Sequence, residues 1–320
     1  MMTEVGTTPL LLTETNPHNT DSEPGCQIHD FTSLILDSVT VLICLFGLAG
    51  NGMVFWLLGF CIKRNPFTVY ILNLAIADFI FLLCLLAYLM LSMVETLFCL
   101  PEFGQSIRVF HLLFLFAHNA SLYLLTAISL ERCLSVFYPI WCRCRRPKRL
   151  SALVCALLWA LSGLVTGLMT YFCVSKKDRH CRASRIAIYV VDFLIFAPVM
   201  VLTNLILFVK IQRSSQQRQP GKLYIVILLT VVFFLIFAIP FSMKSFGQYF
   251  NSVAISIEVC YALASVNSSI NPVIYFLVGS YRKWQFRGSV KFAFRRVFEE
   301  QVESREDRES RRTTIMEMNN

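Results

Sequence analysis

The sequence predicts an all-α membrane protein: a seven-transmembrane helix bundle with a short amphipathic interfacial helix after the seventh span. Composition is the first ground, because 56% of the residues are hydrophobic and only 15% are charged, well outside the soluble globular range. Spacing is the second. A helix crossing the bilayer needs roughly 20 mostly apolar residues, and the chain carries about seven such runs separated by short loops. The third is the distribution of Lys and Arg, which gather in alternate loops.

The spans run approximately over Thr32 to Phe60, Phe67 to Met93, Ile107 to Phe137, Leu150 to Phe172, Ile186 to Val209, Leu223 to Phe250 and Val253 to Val278. Residues 1–31 form an N-terminal segment expected to be disordered and extracellular, and 32–279 form the bundle. The first thirty residues hold Glu4, Glu14, Asp21, Glu23 and Asp30 with no Lys or Arg. Basic residues follow spans one, three and five: Lys63 and Arg64, then Arg143, Arg145, Arg146, Lys148 and Arg149, then Lys210, Arg213, Arg218 and Lys222. Cytoplasmic loops retain positive charge, so the N-terminus is expected outside and the C-terminus inside a plasma membrane. Lys176, Lys177, Arg179, Arg182 and Arg185 run against this trend without reversing it. No cleavable leader is evident, and the first span is expected to serve as its own insertion signal.

After the bundle, Lys283, Arg287, Lys291 and Arg295 recur at every fourth position beside Phe286, Val290, Phe294 and Val297. A basic stripe next to an apolar one suits a helix lying in the inner membrane interface, at 280–298. Residues 299–320 are mixed in charge and poor in core formers, and are expected to be a disordered cytoplasmic tail. The net charge of +9 belongs to membrane-flanking segments facing anionic lipid, so nucleic acid is not an expected partner.

Polar residues inside the spans need a reason, because a charge at mid-depth costs about 2.5 to 3.5 kcal/mol even on insertion scales. Asp78 in "LNLAIADF", Asn51 in "GLAGNGMV", and Asn267 and Asn271 in "VNSSINPVIY" stand at comparable depth in spans one, two and seven. One such Asn would be a helix-packing hydrogen bond; four together favour a shared polar cluster. Pro272, Pro240 and Pro198 each remove a backbone hydrogen bond and bend spans seven, six and five, and Asn271 is placed to satisfy groups freed at its own bend.

"GN" in span one, "LAIAD" in span two, "ERC" ending span three, Trp159, Pro198, Pro240 and "NPVIY" occur in that order. This ordered set resembles the landmarks of rhodopsin-like G protein-coupled receptors over residues 32 to 298. Within that class, "ERCLSVFYPIWCRCRRPKRLSALVCALLWALSGLVTG", "KLYIVILLTVVFFLIFAIP" and "SSINPVIYFLVGS" are similar to Mas and the Mas-related receptors. The resemblance implies a cell-surface receptor that binds an extracellular peptide or small molecule and activates heterotrimeric G proteins of the Gq or Gi class, with arrestin and a receptor kinase as further partners.

It also implies roles for single residues. Glu131 and Arg132 would form a resting pair from which Arg132 is released toward the G protein, with Asn271, Pro272, Tyr275 and Pro240 in the same switch. A planar, permanently charged guanidinium suits such an exchange of partners. Asp78, Ser121, Asn267 and Asn271 resemble the class's sodium pocket; a water-filled network without sodium is the other reading, and no other cofactor is implied. Ile107 stands where most of the class has a Cys, and Ala238 where it has a Trp. Both departures are shared by the Mas-related group, which implies a Cys173–Cys181 disulfide across "CVSKKDRHC" instead. Cys26 with Cys260 is a second candidate pair, and Cys99 is left over.

A shallow outer ligand site follows, with Arg108, His111, Asp192, Lys244 and Glu258 as its contacts. Relatives that bind cationic peptides carry acids where this chain has Met169 and Ile186, so the basic Arg108 and Lys244 favour a ligand with an acidic group. Enzyme chemistry finds no support, since no HExxH motif, phosphate loop or paired catalytic carboxylates occur and His111 and His118 lack a nucleophile. A transporter or channel is the alternative from another class; it would require inverted repeats or broken midplane helices, which the sequence does not display.

Overall fold

The computed structural model describes residues 31–61, 65–98, 103–138, most of 140–149, 150–175, 195–214 and 256–280, with a few single positions besides. These form helices: α1 (Phe31–Trp56), prolonged by a π-helical turn over Leu57–Cys61, α2 (Pro66–Phe98), α3 (Gly104–Phe137), α4 (Leu150–Ser175), α5 (Ala197–Ser214) and α6 (Ile257–Ser280). They correspond to expected spans one to five and seven, within a few residues at most ends except that α5 is described only from Ala197. Most of the sixth span, with Pro240 and Lys244, lies outside the described residues, as do Asp192, Cys181, the segment before Phe31 and everything after Ser280.

Four of these helices, α1 to α4, are long and apolar enough to cross a bilayer. Over its most apolar eighteen residues 78% of α3 is buried, against 22% of α4. Thus α3 is the axis of the described bundle and α4 lies at its edge. α2 packs on α1 and α3, α1 packs on α6, and α4 and α5 both lean on α3.

Local chemistry sets these contacts. Asn65 caps α2: its Oδ1 accepts from the backbone N–H of Phe67 at 3.0 Å and of Thr68 at 2.8 Å, while its own N–H donates to Thr68 Oγ1 at 2.8 Å. Pro66 fills the first helical position, where an N–H has no partner to lose. Gly47 brings α1 close to α6, because a Cβ there would collide with Ser269 Oγ and stand 2.7 Å from Leu82 Cδ1. Small residues at such crossings let backbones approach, and Ser269 Oγ donates across the gap to the Ile43 carbonyl at 3.2 Å. On the other side of α3, Ser162 Oγ donates to the Phe116 carbonyl at 2.7 Å and Trp159 Nε1 to Asn73 Oδ1 at 3.1 Å.

Two apolar clusters fill the interior. One contains Val54, Phe67, Tyr70, Ile71, Leu74, Ile128, Ile274 and Tyr275; the other contains Cys44, Phe81, Leu82, Leu85, Phe114, Cys260 and Tyr261. Between them in the sequence of α1, α2 and α6 stand Asn51, Asp78 and Ser268, while Ser121 of α3 is flanked by Ala120 and Leu122 of the first cluster; all four are buried.

Candidate functional site

The buried polar layer centres on Asp78. Ser121 Oγ of α3 donates to its Oδ1 at 2.9 Å, and Asn271 Nδ2 of α6 donates to its Oδ2 at 2.7 Å. The Ser268 hydroxyl is a third polar group beside this carboxylate. Asp78 is wholly buried and Asn271 nearly so, so these donors replace the water a carboxylate would otherwise require. Asn267 is buried one turn before Asn271 on the same helix, yet it is Ser268, not anticipated from the sequence, that stands beside the carboxylate.

Pro272 lies inside α6, and a proline leaves the carbonyl four residues earlier without its helical donor. That carbonyl belongs to Ser268, and Asn51 Nδ2 of α1 takes it at 3.0 Å while also bonding the Gly47 carbonyl at 3.0 Å. The expectation that Asn271 would serve its own bend is therefore corrected for this carbonyl. The Asn271 amide faces Asp78 and the bend is served from the neighbouring helix.

At the far end of α3, Glu131 is bound by Arg146 of the following loop, and the second terminal nitrogen of Arg146 donates to Ser151 Oγ at the start of α4 at 2.6 Å. Arg132 lies with its guanidinium carbon 3.4 Å from the centroid of the Phe67 ring. Both Arg132 and Phe67 are buried, as is Tyr275 within the same end of the core. One turn earlier, Asn204 Nδ2 of α5 donates to Ser129 Oγ at 2.9 Å, and one residue later Cys133 Sγ donates to the Thr203 carbonyl at 3.0 Å.

At the opposite end of α3, His111 and Phe114 pack edge to face with centroids 4.8 Å apart. Tyr88 of α2 and Tyr261 of α6 meet each other at 5.6 Å and both meet Phe114. Arg108 is exposed one turn above, its Nε donating to the Gly104 carbonyl at 3.1 Å. Glu258 is half-buried in the first turn of α6. Of the five expected ligand contacts these three are described: His111 lies in the aromatic cluster, Arg108 and Glu258 near the starts of α3 and α6; Tyr88 and Tyr261 carry no such signal in the sequence, because aromatics in a span read as core. Cys173 is disulfide-bonded, and Cys181 lies outside the described residues. Cys260 is buried in α6, and Cys26, its suggested partner, lies outside the described residues.

A buried carboxylate bonded from two neighbouring helices, a helix with an internal proline and an arginine against an aromatic face define an all-helical membrane protein with a buried polar layer. Residues 50–275 match the family described as 7 transmembrane receptor (rhodopsin family). The chain is 41% identical over 292 residues to the human proto-oncogene Mas, covering 88% of this chain and 89% of that one. It is 46% identical over 280 residues to mouse Mas-related G-protein coupled receptor member H, covering 84% and 85%. With the human Mas-related member D it shares 45% identity over 269 residues, covering 81% and 82%. The chain belongs to the Mas and Mas-related group of rhodopsin-family G protein-coupled receptors. It is a multi-pass plasma-membrane receptor for a ligand and a heterotrimeric G protein, not an enzyme, and the transporter reading falls away.

Proposed function

We propose that an extracellular ligand bound near Arg108, His111 and Glu258 drives G protein activation through the Asp78 layer to Arg132, with the N-terminus outside and the C-terminus in the cytoplasm. The observation that carries this reading is the Asp78 constellation, in which α2, α3 and α6 share one carboxylate. A change in the packing of any one of these helices changes the partners of the others. Pro272 and Tyr275 lie on α6 just beyond it, and Glu131 and Arg132 lie further along α3, so the same layer joins the two ends of the molecule. Gq or Gi is the proposed G protein class, with arrestin and a receptor kinase acting on the cytoplasmic side.

A sodium ion is proposed at the same layer. Hard cations take oxygen ligands, and Asp78, Ser121 and Ser268 offer one carboxylate and two hydroxyls from three helices. When bound, the ion supplies positive charge beside Asp78 and favours the arrangement that holds these helices together. Asp192 and Lys244 complete the proposed ligand site, Pro240 the switch, and Cys181 the disulfide to Cys173. The ligand carries an acidic group met by Arg108 and Lys244, with any amine received by Asp192 or Glu258.

The test of the coupling role is Arg132→Ala, followed by G protein nucleotide exchange at matched surface expression. Exchange should fall to near background while surface level is kept. Normal exchange in that variant removes Arg132 from the mechanism.

A further inference from the structure

Glu131 and Arg132 are adjacent in sequence, but successive helical residues point about 100° apart, and here they have different companions. The Glu131 carboxylate is bound by Arg146, and both side chains are largely withdrawn from solvent, at 13% and 10% exposure. Arg146 is itself fixed by Ser151. This acid is therefore already neutralised by a cation other than its neighbour. Arg132, 9% exposed, is stacked on Phe67, 5% exposed.

We infer that Phe67 is a positioning residue for G protein activation: its ring holds Arg132 in the resting receptor, and Arg146 withdraws Glu131 from that task. This rests on the reading that Arg132 carries the coupling. Phe67 is suited to it by where it stands. Asn65 and Pro66 fix the first turn of α2, so the ring is mounted on a capped helix end and not on a loose loop. A guanidinium stacked on an aromatic ring is held by its face, and the stack uses none of its five N–H donors. Arg132 can leave such a seat without breaking a hydrogen bond to it, whereas leaving a desolvated carboxylate would strand a buried charge. A hold through the ring face is one that a group which must change partners during signalling can give up.

Agonist-independent nucleotide exchange on a purified heterotrimeric G protein, with the full-length receptor in lipid nanodiscs, tests this. Phe67→Leu keeps apolar volume and removes the ring; basal exchange should rise on the order of three- to ten-fold, within the range a desolvated cation–π contact can account for. Phe67→Tyr keeps the ring and should restore the wild-type level. Replacing Phe67 by mono-, di- and trifluorophenylalanine drains the negative face of the ring while barely changing its size, so basal exchange should climb step by step along the series. A seat that mattered only for packing would give a flat series, and a flat or falling series overturns the inference. Arg132→Ala addresses the separate coupling reading: normal exchange there defeats that reading, whatever the fluorinated series returns.

Discussion

Asn51 on α1 and Ser268 on α6 are joined by a 3.0 Å hydrogen bond from the Asn51 amide to the Ser268 carbonyl. This is the carbonyl that Pro272 deprives of its helical donor. A bend in one helix is thus made tolerable by a side chain of another, and the shape of α6 depends on the presence of α1. The Ser268 hydroxyl also stands beside Asp78, so this residue meets α1 through its backbone and the polar layer through its side chain.

Asn51→Ala removes the donor to two carbonyls and leaves the Ser268 carbonyl without this partner. The expected cost is about 1–3 kcal/mol, seen as a lower melting temperature of the detergent-solubilised receptor. An unchanged melting temperature would mean that another group serves the bend.

Gly47→Ala should also destabilise, by about 1–3 kcal/mol, because the added methyl meets Ser269 and Leu82. Gly167→Ala is the matched control. Among the described residues no atom beyond its chain neighbours and its own helix backbone lies within 4 Å of a Cβ at that position, and alanine is the better helix former. The same thermal assay should separate the two variants; equal behaviour would show that α1 and α6 do not need their close approach.

If a sodium ion binds at Asp78, sodium chloride should raise the melting temperature of the wild-type receptor above that in choline chloride at equal ionic strength. Asp78→Asn should abolish the difference. Identical melting of the wild type in the two salts favours a water-filled network.

For the ligand, charge reversal decides. Once an agonist is in hand, Arg108→Glu or Lys244→Glu should lower its potency by at least about ten-fold, the order of loss seen when one partner of a desolvated ion pair is removed. Asp192→Lys should matter far less. The opposite ranking would mean that the ligand is predominantly cationic.

Much of this architecture is legible in the sequence because the bilayer limits the choices. Backbone groups in hydrocarbon must be satisfied within the helix, so apolar length alone reveals α1 to α4. Expense marks Asp78, Asn51 and Asn271 in the same way: polar groups at one depth in apolar helices have few partners except one another, whereas Ser121 is legible only through the family resemblance. The partner of Glu131 is not legible. Several basic residues follow it, and Arg146 prevails because the loop and Ser151 place it there. Phe67 is hidden for a different reason, since a phenylalanine in an apolar span reads as core whether or not a cation sits on its face. Ser268 is hidden by the two neighbouring asparagines, whose side chains are the stronger polar signal in an apolar span.

The placement of the polar layer between two interdigitated apolar clusters has a mechanical consequence. Meshed methyl and ring groups resist sliding, because displacement of less than an ångström makes them collide. Hydrogen-bonding groups tolerate it, exchanging one acceptor for another at similar distance. The bundle is therefore stiff toward each end and compliant across its middle, like two gears joined by a slip clutch. A displacement imposed at Tyr88 and Tyr261 is thus expected to reach Tyr275 and Arg132 only through that compliant layer, stepwise and not in proportion.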